Sequence, residues 1–269
     1  MNLLLLESAV PETVLPAGDP RERHLRSVLR AQTGDTLRVG VPGGPTGIAT
    51  IASRGPEGVQ LRCRWQQPPS RPLPVDVVLG HPRPPVLRRL WRDLTAMRVR
   101  SIRVFVGALS EKSYLDSSAW DQSEAAVYDG LSQGMHTAVP EITRHATLAT
   151  ALDAHRWDLS GSIRWFGRMG VQNPSLLTAA GAAASGAVEG VTIAVGPERG
   201  FTPQEEELLQ RHRFHGVSLG TSVLRTETAT ILLAGVAAEL FSEGRQETLR
   251  STPTDTILTP TPNSEDGVR

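Results

Sequence analysis

From Val75 onward, short apolar runs alternate with helix-patterned segments, and this alternation restricts the fold more than any other feature. Val75–Leu79 reads as a buried strand, and Val86–Met97 as a helix whose Leu87, Leu90, Leu94 and Met97 recur at spacings of three and four. Ile102–Val106 predicts a strand, Ser118–Gln133 a helix and Ile163–Phe166 another strand. Val191–Val195 is a short buried strand, and Gln204–Arg213 a helix entered through Thr202 and Pro203. Val217–Leu219 is the last strand, and Thr226–Ser242 a long helix, apolar nearly all round and therefore buried. Such an order predicts an α/β unit with a parallel sheet covered on both faces. Residues 178–190, almost all Ala and Gly, read as a flexible loop or weak helix.

The first part of the chain follows another rule. Leu3–Leu6, Thr36–Val41 and Gly47–Ile51 are strand-like, the last two separated by the turn Pro42-Gly43-Gly44-Pro45. Val59–Trp65 alternates Val59, Leu61, Cys63 and Trp65 with Gln60, Arg62 and Arg64, the pattern of a half-buried strand. Pro20–Arg30 has helical spacing, with Leu25, Val28 and Leu29 able to share a face. A small β-barrel carrying one short helix is expected over 1–67. Residues 66–74 hold four prolines in nine residues, an extended spacer before a second domain over 75–248. The tail 251–269 has the composition of a disordered segment.

Composition excludes several classes. The Leu3–Leu6 run is far shorter than the ~18 apolar residues of a membrane helix, and nothing resembles a signal peptide. One cysteine, Cys63, excludes an internal disulfide framework and fits a reducing cytoplasm. Cys63 and seven scattered His have no metal-ligand spacing, so no metal is expected. The 28 basic residues balance 28 acidic ones, which argues against bulk binding of a polyanion. All basic residues except Lys112 are arginine, a bias that a GC-rich genome explains. Arginine also suits bidentate recognition of phosphate, so each cluster is weighed separately.

Two strand-to-helix junctions stand out. Val195-Gly-Pro-Glu-Arg-Gly-Phe201 is neither a P-loop nor a dinucleotide fingerprint, since no Gly-Lys-Ser/Thr follows and the glycine spacing is wrong. Leu219-Gly-Thr-Ser-Val-Leu-Arg-Thr-Glu-Thr-Ala229 places Thr226 as a helix N-cap, flanked by the opposite charges of Arg225 and Glu227. Each alone is explained by a tight turn or a capped helix with an ion pair. Together they are two glycine-bearing strand ends of one parallel sheet, where ligands bind in open α/β folds.

The pair resembles the RsmE-type 16S rRNA (uracil-N3)-methyltransferases of the SPOUT superfamily, through Val-Gly-Pro-Glu-x-Gly-Phe and Leu-Gly-x-x-Val-Leu-Arg-Thr-Glu-Thr-Ala. His24-Leu25, Val28-Leu29-Arg30 and Gly34-Asp35 are similar to that family's N-terminal barrel. Glu111-Lys-Ser-Tyr114, Gly130-Leu131-x-Gln133 and Pro140-Glu141-Ile142 resemble its middle segment. The resemblance implies a PUA-like β-barrel followed by an α/β domain with a C-terminal trefoil knot. It further implies S-adenosylmethionine as cofactor, a homodimer, no membrane association, and 16S rRNA or the small ribosomal subunit as partner. Carried over, the cofactor loops comprise Trp165, Phe166 and Gly167; Val195, Gly196, Pro197, Glu198 and Gly200; and Leu219, Gly220, Val223 and Leu224. Backbone groups at strand ends can hold a neutral adenine and ribose without a phosphate cradle.

Four positions depart from the family pattern. Arg199 replaces a usual glycine, which would be strained if the site needs positive φ. Gly80-His-Pro-Arg-Pro-Pro85 replaces a lysine-glycine segment, as in a divergent branch; Ser132-Gln133 lacks a preceding glutamate; and Phe166-Gly167 lacks the usual His-Pro or Glu-Pro. Uracil N3 must lose a proton, and a guanidinium suits the charge that develops on the carbonyl oxygens, so Arg225 is the catalytic candidate. Arg21, Arg23, His24, Arg26 and Arg30 on the short helix, with Arg83 and Arg199, are the candidate RNA contacts. Arg88, Arg89 and Arg92 extend the basic cluster around Arg83. Glu111–Tyr114 serves equally well as an ordinary loop or as a lining of the substrate side. An enzyme acting on another RNA such as a tRNA, and a binding protein without catalysis, remain alternatives.

Overall fold

A computed structural model describes residues 2–111, 113–114, 117–154, 162–168, 173–184 and 188–241. The expected tail 251–269, Lys112 and the end of the last helix at Ser242 lie outside the described residues.

The N-terminal part is a five-stranded sheet in the order β1-β3-β4-β5-β2. Its strands are β1 (Leu4–Leu5), β2 (Glu12–Pro16), β3 (Thr36–Gly40), β4 (Thr46–Gly55) and β5 (Gly58–Gln67). Val59, Leu61 and Cys63 point inward as expected, packing with Leu15, Leu25, Leu37, Val39, Ala49 and Ile51. The short helix α1 (Pro20–Arg23) starts at Asp19, whose carboxylate accepts from the Arg21 amide, and continues as a π-helical turn over His24–Val28. Leu25 is buried there, but Val28 is 66% exposed, because the wider turn rotates it off the apolar face.

The second part is a six-stranded parallel sheet in the order β11-β9-β10-β6-β7-β8. Its strands are β6 (Val75–Gly80), β7 (Ser101–Phe105), β8 (Glu141–His145), β9 (Ser162–Gly167), β10 (Gly190–Val195) and β11 (His215–Val217). Helices α2 (Pro84–Ala96), α5 (Leu176–Ala184) and α7 (Thr226–Glu239) cover one face, and α4 (Leu148–Asp153) and α6 (Pro203–Arg211) the other. The α/β architecture with a doubly covered parallel sheet is therefore as expected. Helix α3 (Ser123–Gly134) lies against α2 and presents Val127 and Leu131 to Leu3 and Leu5 of the first part.

Of the loop or weak helix expected over 178–190, the helix forms, over Leu176–Ala184, because Leu176 and Ala183 seat it on the core. Residues 185–187 lie outside the description. The last strand ends at Val217 and not Leu219, since fully buried Val217 is its anchor.

The two parts are joined by polar contacts centred on Thr137. Its hydroxyl donates to the Gly44 carbonyl (2.6 Å) and accepts from the Ser70 amide (3.1 Å), while its amide donates to the Ser70 hydroxyl (3.2 Å). The Leu3 amide donates to the Ser132 carbonyl (3.0 Å).

Candidate functional site

Parallel strands put their C-terminal ends on one edge, and in this order β11, β9, β10 and β6 finish side by side. The register pairs Val217 with Gly167, Ala194 with Phe166, and Val195 with Leu79. Three loops carrying the sequence-selected residues therefore converge: 167–168, 195–202 and 218–225.

Their side chains have different fates. Trp165, Phe166 and Val195 are buried in the cores behind the edge, so only their backbone can face a ligand. Gly196 and Pro197 are buried, while Glu198 and Arg199 are exposed. Gly200 adopts φ +77°, the left-handed conformation that favours glycine, whereas Arg199 does not have positive φ. The anticipated strain at Arg199 is therefore absent. A Cβ on Gly80 would overlap the Pro197 backbone, so the β6 end and the β10 loop touch directly. Two carboxylates then fasten the β10 loop to its neighbours. Glu198 accepts from the Arg83 amide (2.8 Å), and Glu205 from the amides of Ala108 (2.9 Å) and Thr202 (2.8 Å).

In the third loop, Gly220 has φ +115°, Leu219 and Leu224 are partly buried, and Val223 is 77% exposed. The amides of residues 221–225 make no hydrogen bond among the described residues. Backbone donors presented this way can bind a neutral heterocycle or ribose hydroxyls. The cap assignment is corrected: Arg225 occupies the N-cap of α7 with no side-chain cap bond. Thr226 is the first helical residue, and its hydroxyl donates to the Gly196 carbonyl (3.3 Å), tying this loop to the β10 loop. The Arg225–Glu227 ion pair is also corrected. Glu227 takes a bidentate pair from Arg89 of α2, which holds its carboxyl below the usual carboxylate range, while Arg225 stays exposed.

The basic helix divides. Arg21 is bound by Asp19 (2.7 and 3.0 Å) and by the Leu5 carbonyl (3.1 Å), and Arg26 by buried Glu22 (2.6 Å). These two guanidinium groups are engaged within the N-terminal part. Arg23 and His24, with Pro20, Ser27 and Val28, line a shallow surface depression, and Arg30 is exposed nearby with φ +50°. Arg83 is exposed beside the β10 loop.

Sequence reasoning missed a cluster beyond β6. His81 is 1% exposed, and burial pushes its pKa below the ordinary histidine value. Nδ1 donates to the Pro82 carbonyl (2.8 Å), leaving Nε2 to accept from the Trp120 indole N–H (3.3 Å). Tyr114, Trp120 and Arg144 surround it. The Gly80–Pro85 departure and the Glu111–Tyr114 segment signalled this region, but not the His81–Trp120 contact.

Among the described residues no group of three or more His, Cys, Asp or Glu could hold a metal, and no helix is long and apolar enough to cross a membrane.

Known proteins share this chain's sequence pattern and fold. Residues 69–238 match the RNA methyltransferase domain. Ribosomal RNA small subunit methyltransferase E of Treponema pallidum is 31% identical over 243 residues, 88% of this chain and 90% of that protein. Ribosomal RNA small subunit methyltransferase E 1 of Borreliella burgdorferi is 27% identical over 88% of this chain and 98% of its own length. The fold is shared with the crystal structure of ribosomal RNA small subunit methyltransferase E from Neisseria gonorrhoeae bound to S-adenosyl methionine, with a TM-score of 0.69 at 20% identity over 90% of this chain and 97% of that one. The chain therefore belongs to the RNA methyltransferase domain family, among proteins named ribosomal RNA small subunit methyltransferase E.

Proposed function

We propose that this protein is a cytoplasmic rRNA methyltransferase that uses S-adenosylmethionine to methylate N3 of a uridine in 16S rRNA. The observation that carries the reading is the convergence of the 167–168, 195–202 and 218–225 loops, with the 221–225 amides presented and Arg225 exposed at the entrance to α7. The site fits the cofactor: buried Gly196 and positive-φ Gly200 and Gly220 let backbone approach a ligand closely. S-adenosylmethionine supplies the methyl group as an electrophilic sulfonium.

The chain's own residues have two tasks. The loops hold uracil N3 in line with the methyl, a positioning contribution. Arg225 donates N–H bonds to a uracil carbonyl oxygen and stabilises the charge that develops as N3 gives its proton to solvent water and takes the methyl, with the neutral thioether S-adenosylhomocysteine as leaving group. Arg23, His24, Arg30, Arg83 and Arg199 contact RNA phosphates. The first part, 1–67, is a PUA-like module, and 75–248 a trefoil-knotted SPOUT domain. The partially exposed Leu232 of α7, with strongly exposed Leu177 and Val223, supports a homodimer through this region.

Calorimetric titration with S-adenosylmethionine, followed by methyl transfer to small subunits from a strain lacking the gene and mapping of the product, tests this. The expected product is 3-methyluridine at one 16S rRNA position. Modification confined to tRNA, or absence of cofactor binding, overturns the reading.

A further inference from the structure

At the outer ends of β6, β7 and β8 a layered stack runs from the core to the surface. Trp91, fully buried on α2, meets Trp120 edge-on, with ring centroids 5.1 Å apart. Trp120 is partly exposed, and the Arg144 guanidinium of β8 lies over its ring at 5.4 Å. Arg144 itself is exposed. Behind the indole, His81 accepts its N–H and stands 5.9 Å from it and from Tyr114, which is half-buried. Arg88 of α2 donates to Gln122 of the same short turn (2.5 Å), adding a second cation to the rim.

The stack is contiguous with the converging loops. His81 directly follows Gly80, which packs on the Pro197 backbone, and Arg83 is bound by Glu198. A base extruded toward the 195–202 and 218–225 loops would have its strand neighbours beside this patch.

We propose that Trp120 and Arg144, with Tyr114, form a stacking site for one unpaired nucleobase flanking the methylated nucleotide, and that His81 is the positioning residue that fixes the indole plane. The proposal rests on the reading of the chain as an RNA methyltransferase. Aromatic rings and guanidinium planes accept any base face, and the flanking cations complement its phosphates. His81 suits its task because its Nδ1–H is committed to Pro82, so Nε2 remains an acceptor and the indole cannot swing out without losing that bond. A merely structural Trp120 would need neither partial exposure nor a cation over its ring.

The test uses the full chain and a fluorescently labelled single-stranded 12-nucleotide RNA copied from the mapped methylation site, together with versions bearing one abasic nucleotide at each position. Arg144→Ala and Trp120→Leu should weaken binding about 5- to 100-fold, the scale of losing one stacked base. Trp120→Phe keeps an aromatic face but loses the indole N–H, so it and His81→Phe should both fall between wild type and Trp120→Leu. One abasic position should abolish the difference between wild type and Arg144→Ala, because the stacked base is already gone. S-adenosylmethionine affinity should be unchanged throughout. A loss that persists on every abasic probe, together with a shallower salt dependence, would reduce Arg144 to a phosphate contact and overturn the proposal, as would wild-type binding by Arg144→Ala. Should Trp120→Leu fail to fold by circular dichroism, Arg144→Ala and Trp120→Phe decide alone. Methyl transfer is scored separately: base-dependent binding without transfer defeats the proposed reaction and leaves the stacking site standing.

Discussion

Arg89 and Glu227 form a bidentate pair that joins α2 to α7, with Nε–Oε1 at 2.7 Å and Nη2–Oε2 at 3.0 Å. Glu227 is therefore engaged away from Arg225, which leaves the Arg225 guanidinium exposed at the loop mouth. Glu227→Gln and Arg89→Ala should each lower Tm slightly, and the double variant should be no worse than either. Both should retain methyl transfer near the wild-type rate. A double-mutant cycle on melting temperature checks the pair.

Thr226 connects two of the three loops through its bond to the Gly196 carbonyl. Thr226→Val removes the donor while keeping the shape, and should cost about 1 kcal/mol of stability, the net worth of such a bond. Cofactor affinity should fall as well, because the 218–225 loop loses its register on the β10 loop. Thr226→Ser should restore both. Calorimetry and thermal melts on the two variants separate this from simple loss of packing.

How far the residues announced the structure depended on the kind of signal each carried. The α2 face Leu87, Leu90 and Leu94 was readable because a repeat of three and four residues has few alternatives, and all three are fully buried. Edge strands β2 and β8 gave no comparable pattern: β2 buries only Leu15, and every residue of β8 keeps some exposure. Helix α4 is six residues held by a capping box between Thr147 and Thr150, too short for periodicity to register. The loops of the candidate site stand out through glycine-bearing strand ends and their family wording. Arg21 and Arg26 show the limit of that reading. Their positions matched an RNA-facing helix, but Asp19 and buried Glu22 claim them, and pairing in space does not show in spacing along a chain. The His81–Trp120 contact spans 39 positions and was invisible for the same reason.

Arg30 offers a test in which stability and binding part company. Its φ of +50° is a conformation that costs a non-glycine residue roughly 1–2 kcal/mol. Arg30→Gly should leave Tm unchanged or raise it, yet weaken RNA binding and reduce the log–log salt slope by about one. Arg23→Ala should reduce the slope equally without the gain in Tm. Both should bind S-adenosylmethionine as the wild type does. A Tm loss in Arg30→Gly would make this residue structural.

His136 should give the protein a weakness toward acid. It is 4% exposed, Nε2 donates to the Thr95 carbonyl (2.9 Å), and Nδ1 accepts from the Ala138 amide (3.2 Å). Burial, reinforced by Arg98, lowers its pKa from 6.5 to about 4. The unfolded chain thus takes up a proton near pH 6.5 that the native state refuses until about pH 4. Its stability contribution is intact above pH 6.5 and is lost as pH falls through that window, by at most about 3 kcal/mol. Denaturant titrations from pH 7 to pH 4 should show the decline, and His136→Gln should flatten it. Buried His81 shares the direction of shift, so some decline will remain.

Arg225 carries the strongest functional prediction. It sits at the N-cap of α7, immediately after a loop with positive-φ Gly220, and the structure gives it neither a cap bond nor an ion pair with Glu227. If its guanidinium meets the charge developing on uracil, Arg225→Ala should reduce single-turnover methyl transfer by roughly two to three orders of magnitude, the scale of removing one oxyanion donor. Arg225→Lys should recover only part, since a point charge cannot replace a planar fork. Cofactor affinity should hardly change, because in the proposed site backbone groups hold the cofactor. Melting temperature should hardly change either, because Arg225 is exposed and Glu227 belongs to Arg89. A loop-fixing role predicts the opposite combination, with Tm and cofactor affinity falling together and turnover following them. Measuring turnover, affinity and Tm on Arg225→Ala, Arg225→Lys and Glu227→Gln side by side therefore separates the two roles, and wild-type turnover in Arg225→Ala removes the catalytic one.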